Sequence, residues 1–324
     1  MTQRLLVISP VHNEAAHLEL VAAAMQRQTR PPDLWVLVED NSTDDTPEIL
    51  RRLAERIEFV RVMSTAAPPP AAGPPTTAES SPAPPVKDRL AAAAAPRTFN
   101  LGLNGVDWES FTHIAKLDGD IELEPDYFEL LLGKFARDPS LGLAGGVLRE
   151  RDDEGGWSAP QAANDYHVRG ALKCYTRECL QAIGGIQERL GWDTIDEIYA
   201  RMRGYRTRVF GELVALHHRP WGSADGTLRG RARHGTCAYI VHFTLPWVAL
   251  RAFKVARSRP RGLSGVAFMY GFLDSAARRV PRVEDPQFRA FVRRELRERA
   301  RLELTERSGR HRGQGLVPAV TREP

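Results

Sequence analysis

Three short stretches of this sequence carry residues able to do chemistry. In Asp118-Gly119-Asp120 two carboxylates flank a glycine directly after the apolar run 114–117. Both can address one divalent cation, and the glycine permits the tight turn this needs. Mg2+ or Mn2+ held there would bind a diphosphate and neutralise its charge as it leaves. Asp and Gly are also ordinary turn residues, so the motif says little alone. Glu39-Asp40-Asn41-Ser42 ends a second apolar run, where carboxylates can accept hydrogen bonds from ribose hydroxyls or a base N–H. Ser42, Thr43 and Asp44 serve equally well as caps of the following helix. Lastly, in His217-His218-Arg219-Pro220 a histidine, His218 or its neighbour, can complete a metal shell, and Arg219 can contact a diphosphate.

These residues must be held by strands and turns, and the hydropathy pattern supplies them. Residues 5–9, 34–38 and 59–63 are short apolar runs alternating with helical compositions at 15–28 and 46–56. That order predicts the β-α-β-α-β opening of an α/β fold with a mostly parallel sheet. Further strands are expected at 113–117, 143–148, 206–210 and 213–216, and helices at 127–136, 177–183 and 194–203. The first strand runs into Ser9-Pro10-Val11-His12-Asn13-Glu14, without the glycines of a dinucleotide-binding turn, which excludes an ordinary dehydrogenase. No G-x-S-x-G elbow is present. Residues 64–86 hold a proline-rich stretch expected to be a disordered insertion. The glycine-containing stretch 221–226 is a candidate lid.

The chain has 324 residues, 42% of them hydrophobic, enough for a sizeable core. Its longest apolar stretches are broken well short of the ~20 residues of a spanning helix. The N-terminus does not resemble a signal peptide, and the three cysteines fit a reducing compartment, so a cytoplasmic location is expected. The net charge of +4 hides two opposite segments. Residues 1–226 carry 24 Lys and Arg against 33 Asp and Glu, whereas 227–324 carry 21 against 8. This gives a catalytic domain over 1–226, a basic helical extension over 227–307 and a flexible tail over 308–324. The extension has helical patterns at 236–256, 266–277 and 287–304, with Trp247, Phe253, Phe268, Tyr270 and Phe272 bordered by arginines. Such faces suit the anionic surface of a membrane, which would make the protein peripheral there, or else they pack on the catalytic domain. Nucleic acid is disfavoured, because no recognised binding motif accompanies the charge.

Taken together, the residues from Pro10 to Glu14, the Glu39-Asp40-Asn41-Ser42 stretch and Asp118-Gly119-Asp120 resemble the family 2 glycosyltransferases. Asn100-Leu101-Gly102 extends the resemblance, which spans roughly residues 4–220. It implies a single Rossmann-like nucleotide-diphospho-sugar transferase domain of the A type, acting on a nucleotide-sugar donor and a glycan or lipid-linked acceptor. Pro10, His12, Asn13 and Glu14 would line the nucleotide pocket with Asn100, Asp40 and Glu39 holding base or ribose. Asp118 and Asp120 would meet ribose, diphosphate and Mg2+ or Mn2+, with Asp120 the closer ligand. Gly191-Trp192-Asp193-Thr194-Ile195-Asp196-Glu197 followed by Gly204-Tyr205 resembles the family's acceptor-side acidic segment. Its general base is then Asp193 or Asp196, with Glu197 beside the latter. Trp192 departs from the pattern by standing where the family has Glu. An inverting transfer needs such a base and no covalent nucleophile. The alternative function is that of a catalytically degenerate scaffold or binding protein of the same fold at a membrane surface.

Overall fold

The structure is a computed structural model that describes residues 3–66, 93–151, 156–160, 165–219, 226–258 and 260–307. The proline-rich insertion from 67 onward, the candidate lid at 221–225 and the tail from 308 lie outside the described residues. The chain divides into two compact units, Met1–Pro220 and Trp221–Pro324.

The first unit begins β1 (Leu5–Val11), α1 (Leu18–Gln26), β2 (Leu34–Glu39), α2 (Thr46–Arg56) and β3 (Val60–Ser64), the alternation expected from sequence. It continues through α3 (Ala94–Asn104), β4 (His113–Leu117), β5 (Ile121–Leu123), α4 (Tyr127–Arg137), β6 (Leu141–Glu150), β7 (Leu172–Thr176), α5 (Arg177–Ala182), α6 (Trp192–Met202) and β8 (Arg206–His217). The eight strands form one sheet in the order β3-β2-β1-β4-β7-β6-β8-β5. β3, β2, β1 and β4 are mutually parallel, and β6 with β8 is parallel too. β7 runs antiparallel between β4 and β6, and β5 antiparallel to β8.

Both faces of the sheet are covered at its centre, which is why β1 and β2 are nearly continuous apolar runs rather than alternating. Leu5 and Val7 face one core with Leu18, Leu50, Phe128 and Leu131 from α1, α2 and α4. Leu6 and Ile8 face the other with Phe99, Leu103 and Leu180 from α3 and α5. Gly102 lets α3 approach closely, since a Cβ there would meet Val38 and Ile8 at 2.7 and 2.8 Å. Two short strands, β5 and β7, escaped the periodicity reading, β5 because three residues carry too little pattern and β7 because Lys173 interrupts its apolar run. The runs at 206–210 and 213–216 are one strand, with a register irregularity opposite Gly145/Val147.

The second unit is helical: α7 (Thr227–Ile240), α8 (Leu245–Val255), α9 (Leu263–Ala277) and α10 (Pro286–Arg307). The single helix expected over 236–256 is in fact two. The chain breaks at Val241–Thr244, where His242 takes a φ of 60° and donates through Nε2 to Val283 O, 2.8 Å away. Pro246 then suits the first turn of α8. α7 and α9 pack backbone to backbone, Gly235 against Phe268 O and Gly271 against Ala232 O, with no room for a Cβ at either.

Candidate active site

The candidate residues gather where β1, β2, β4 and β8 end. The turns after β1 and β2 are laced together. Asp40 N–H donates to Val11 O at 2.9 Å, and His12 Nδ1 donates to Asp40 O at 2.7 Å. Asn13 and Asn41 both adopt left-handed backbone, φ 54° and 55°, which Asn tolerates better than most residues. Asn13 N–H donates to Ser42 Oγ at 3.1 Å, and its Oδ1 accepts from Thr43 N–H at 2.8 Å. Glu39 uses both carboxylate oxygens internally, Oε1 accepting from Ser42 N–H at 2.5 Å and Oε2 from Ser64 Oγ at 3.0 Å. Asp40 Oδ1 accepts from Thr65 Oγ1 at 3.1 Å. Thus Glu39 and Asn13 build the shape of the rim. Asn100 is directed elsewhere: from α3 its Nδ2 donates to Ile186 O at 2.9 Å and Glu188 Oε1 at 3.1 Å, tethering the loop before α6.

The Asp-Gly-Asp turn closes β4, and the end of β8 folds over it. His217 Nε2 lies 3.3 Å from Asp120 Oδ2, and Arg219 Nε lies 4.0 Å from the same oxygen. Arg219 Nη2 donates to Glu14 Oε2 at 2.7 Å and to Asn13 O at 3.0 Å. It is His217, not His218, whose ring faces Asp120. His218 Nε2 sits 2.9 Å from Glu122 Oε2, and only its backbone N–H reaches Asp120, at the carbonyl, 3.1 Å. Two adjacent residues of a strand point to opposite faces, so one of the pair had to turn away. The β6/β8 register also puts Glu150 opposite His217, with Nδ1 3.9 Å from Glu150 Oε1. That distance makes an ionic contact rather than a hydrogen bond, and Nδ1 is buried with no hydrogen-bond partner among the described residues.

Electrostatics set the protonation states here. Burial pushes the Glu14 carboxyl up to about 8, helped by the Asp120 and Asp118 charges and opposed by Arg219, so it is largely neutral at pH 7. Burial works against the His217 imidazolium, yet Asp120, Glu150 and Asp118 outweigh it and raise His217 to about 9. Burial also opposes ionisation of Asp120, but His217 and Arg219 hold its carboxyl below the usual carboxylate range. The turn is therefore an ionised carboxylate capped by two cations.

No group of three or more His, Cys, Asp or Glu among the described residues surrounds one metal position. Mg2+ and Mn2+ bound to nucleotides need no such cage, since one or two carboxylates suffice when phosphates and waters complete the shell. Asp120 is ionised and hard, and Asp118 is one-third exposed. These residues fit a phosphate-bridged divalent cation.

The acidic segment resolves into two environments. Asp196 and Glu197 are 2% and 1% exposed on the inner face of α6. Lys173 Nζ, also buried, donates to both Asp196 oxygens at 2.9 and 3.0 Å and to Glu197 Oε1 at 3.2 Å. Tyr175 OH donates to Asp196 at 2.5 Å, and Glu197 accepts from Val168 N–H at 2.7 Å and faces His167 Nδ1 at 3.0 Å. Burial disfavours the charged Lys173, but Asp196 and Glu197 reverse that and hold it protonated. Asp193, in the first turn of α6, is half-buried, and its carboxylate makes no hydrogen bond or ion pair with the described residues. Sequence reasoning passed over Lys116 and Lys173. Their signal was a lone lysine inside an apolar strand, in Ile114-Ala115-Lys116-Leu117 and Leu172-Lys173-Cys174.

Residues 6–67 match the model of the family described as Glycosyl transferase family 2. No curated protein matches the chain. Among solved structures, S. aureus TarS 1–349 is similar with a TM-score of 0.50 at 13% identity, over 84% of this chain and 71% of that one. The mannosyltransferase PcManGT from Pyrobaculum calidifontis, in complex with GDP-Man and Mn2+, is similar with a TM-score of 0.51 at 20% identity, over 94% and 81%. At these identities the structures speak for the fold, and the matched segment, holding the turns after β1 and β2, speaks for the family. The sequence resemblance to the family 2 glycosyltransferases is thereby borne out over the matched segment, and the fold is that of the similar glycosyltransferase structures.

Proposed function

We propose that the chain carries out an inverting, metal-assisted transfer of a hexosyl group from a nucleotide-sugar to a hydroxyl of a glycan or lipid-linked acceptor, in assembly of cell-surface polysaccharide or glycolipid. The observation that carries this reading is the contrast within the acidic segment. Asp193 offers an unpaired, accessible carboxylate while Asp196 and Glu197 are locked inside. We therefore assign Asp193 as the general base. Its carboxylate takes the acceptor hydroxyl proton as that oxygen bonds to the anomeric carbon, and the bond from that carbon to the diphosphate oxygen breaks. Arg219, 40% exposed, and protonated His217 stand beside Asp120 and offset the negative charge that grows on the departing diphosphate. Mg2+ or Mn2+ held through Asp120, with Asp118 and His217 nearby, would add Lewis-acid neutralisation of the same charge. The GDP-Man and Mn2+ in the Pyrobaculum enzyme support this choice of ligands. A donor screen reading nucleoside diphosphate release with Mn2+ tests the reading. Transfer by the wild type, lost in Asp193→Asn, is expected; equal turnover by that variant would overturn the base assignment.

A membrane-side location is the companion proposal. Six large hydrophobic residues stand exposed on α8 and α9: Leu245, Phe253, Leu263, Val266, Tyr270 and Leu273. Positions 263, 266, 270 and 273 form one stripe of α9, opposite the face that buries Phe268 and Phe272. Residues 227–283 carry eleven Lys and Arg against one acid, Asp274. Among the described residues no helix is long and apolar enough to cross a membrane. An exposed apolar stripe with a cationic border matches an anionic bilayer surface, where each basic residue adds about 1 kcal/mol. Sedimentation with phosphatidylglycerol vesicles should capture the wild type, whereas phosphatidylcholine vesicles should not. Val266→Ser/Tyr270→Ser should cut capture at least tenfold. Unchanged capture, or a dimer that the substitutions dissociate without any vesicle binding, would overturn the membrane assignment.

A further inference from the structure

Trp192 occupies a place that the protein has built around it. Lys116 on β4 and Lys173 on β7 are register partners across an antiparallel pair, so both side chains leave the same face of the sheet. Both are buried, and their Nζ atoms lie 5.3 and 5.5 Å from the centre of the Trp192 ring. Lys116 Nζ pairs with the Asp118 carboxylate and donates to Gly170 O at 2.8 Å. Lys173 Nζ donates to Asp193 O at 2.5 Å, besides Asp196 and Glu197. Gly170 closes the remaining space, since a Cβ there would lie 2.9 Å from the indole and 3.2 Å from Asp193 Cβ.

We propose that Trp192, gripped between Lys116 and Lys173, is a positioning residue that fixes the donor-side Asp118 turn and the acceptor-side Asp193 in one relative arrangement. Each lysine ties a different part of the site, Lys116 the turn and Lys173 the first turn of α6, and the indole is the body both rest on. The π-face accepts two ammonium groups without taking either from its carboxylate. A glutamate at 192, which the family's pattern would place there, would compete with Asp118 and Asp196 for those same ammonium groups. The substitution by Trp thus has a physical role, and it leaves Asp193 as the one uncommitted carboxylate of the segment.

This inference rests on the glycosyl-transfer reading, and its test keeps the two apart. Steady-state transfer is measured for wild type, Asp193→Asn, Trp192→Phe and Trp192→Leu, together with thermal unfolding of each. A misplaced reacting group costs on the order of 10²-fold. Trp192→Leu is expected to lose about 10- to 100-fold in kcat with donor KM within about threefold, and Trp192→Phe, which keeps a ring, to recover most of that loss. A wild type that transfers from no nucleotide-sugar overturns the reading and the clasp together. Transfer by the wild type that vanishes in Asp193→Asn, with wild-type kcat in Trp192→Leu below its unfolding transition, overturns the clasp alone. A kcat loss that phenylalanine does not reduce does so too. Should Trp192→Leu fail to fold, Trp192→Phe carries the test, with a several-fold lower kcat at unchanged donor KM expected and wild-type kcat overturning the proposal.

Discussion

The first unit contains two carboxylate clusters that look alike in composition and differ in their surroundings. Under α6, Asp196 and Glu197 meet Lys173, Tyr175 and His167 in a dry interior where every carboxylate oxygen has a partner. At the ends of β4 and β8, Glu14 and Asp120 share Arg219 and Asp120 also faces His217, with Arg219 half in solvent and His217 Nδ1 unsatisfied. A buried ion pair is costly to break from one side and need not add net stability as a whole. A half-open cluster with a proton held at a raised value is poised to exchange its partners for a ligand. The first cluster is suited to holding a backbone, the second to receiving a diphosphate, and substitutions separate these roles.

The largest effect is expected on turnover. Asp120→Asn removes the ionised carboxylate that both cations face. Its transfer rate should fall by about 10³-fold or more, on the scale of losing an electrostatic stabiliser together with its metal ligand. Thermal unfolding should show the fold intact, because the turn itself is held by backbone bonds such as Asp118 N–H to Ala171 O at 3.0 Å. Wild-type turnover, or activity indifferent to excess chelator, would contradict the role given to this cluster.

For the inner cluster the expectation reverses. Lys173→Met leaves Asp196 and Glu197 buried without their shared cation, a change that costs about 3–5 kcal/mol. Chemical denaturation should show that loss in the midpoint. Arg219→Ala, by contrast, removes a partly exposed ion pair whose stability contribution is below about 1 kcal/mol, while its turnover should drop by about 10²-fold. If Lys173→Met proved as stable as the wild type, or Arg219→Ala as active, the division between the two clusters would collapse.

Much of this layout was legible beforehand. The strands 5–9 and 34–38 and the helix 46–56 stand out because both faces of the sheet are buried and the runs are uninterrupted. Asp118-Gly119-Asp120 was visible because a turn motif followed an apolar strand. Which carboxylate was uncommitted was not visible, since Asp193 and Asp196 are distinguished by Lys173, twenty and twenty-three residues away in sequence. The choice between His217 and His218 was hidden for the same reason: strand alternation fixes that they differ, but only the β6/β8 register fixes which one meets Asp120.

The smallest effect is a slope in pH, and its Glu14 part is read without any substrate. Glu14 is raised to about 8 by burial and by Asp120, so the folded chain holds its proton more tightly than the unfolded chain. The stability this contributes is complete below about pH 4.5 and is lost as pH rises through about 8. His217, raised to about 9 by Asp120 and Glu150 against burial, adds a second contribution, complete below about 6.5 and lost through about 9. Both therefore lower the unfolding temperature as pH climbs from 5 to 9. In the inner cluster the signs are mixed: Glu197 is held below its ordinary range by His167 and Lys173 despite burial, so its contribution is lost as pH falls below the normal carboxylate value, whereas burial raises Asp196, and Glu197 raises His167 against burial. Lys173, raised by Asp196 and Glu197, matters only above its ordinary value. Glu14→Gln should remove most of the decline between about pH 4.5 and 6.5, make it shallower up to about 8, and leave the part between about 6.5 and 9 that belongs to His217. An unfolding temperature that declines as steeply in Glu14→Gln as in the wild type would place the raised proton elsewhere than in the open cluster.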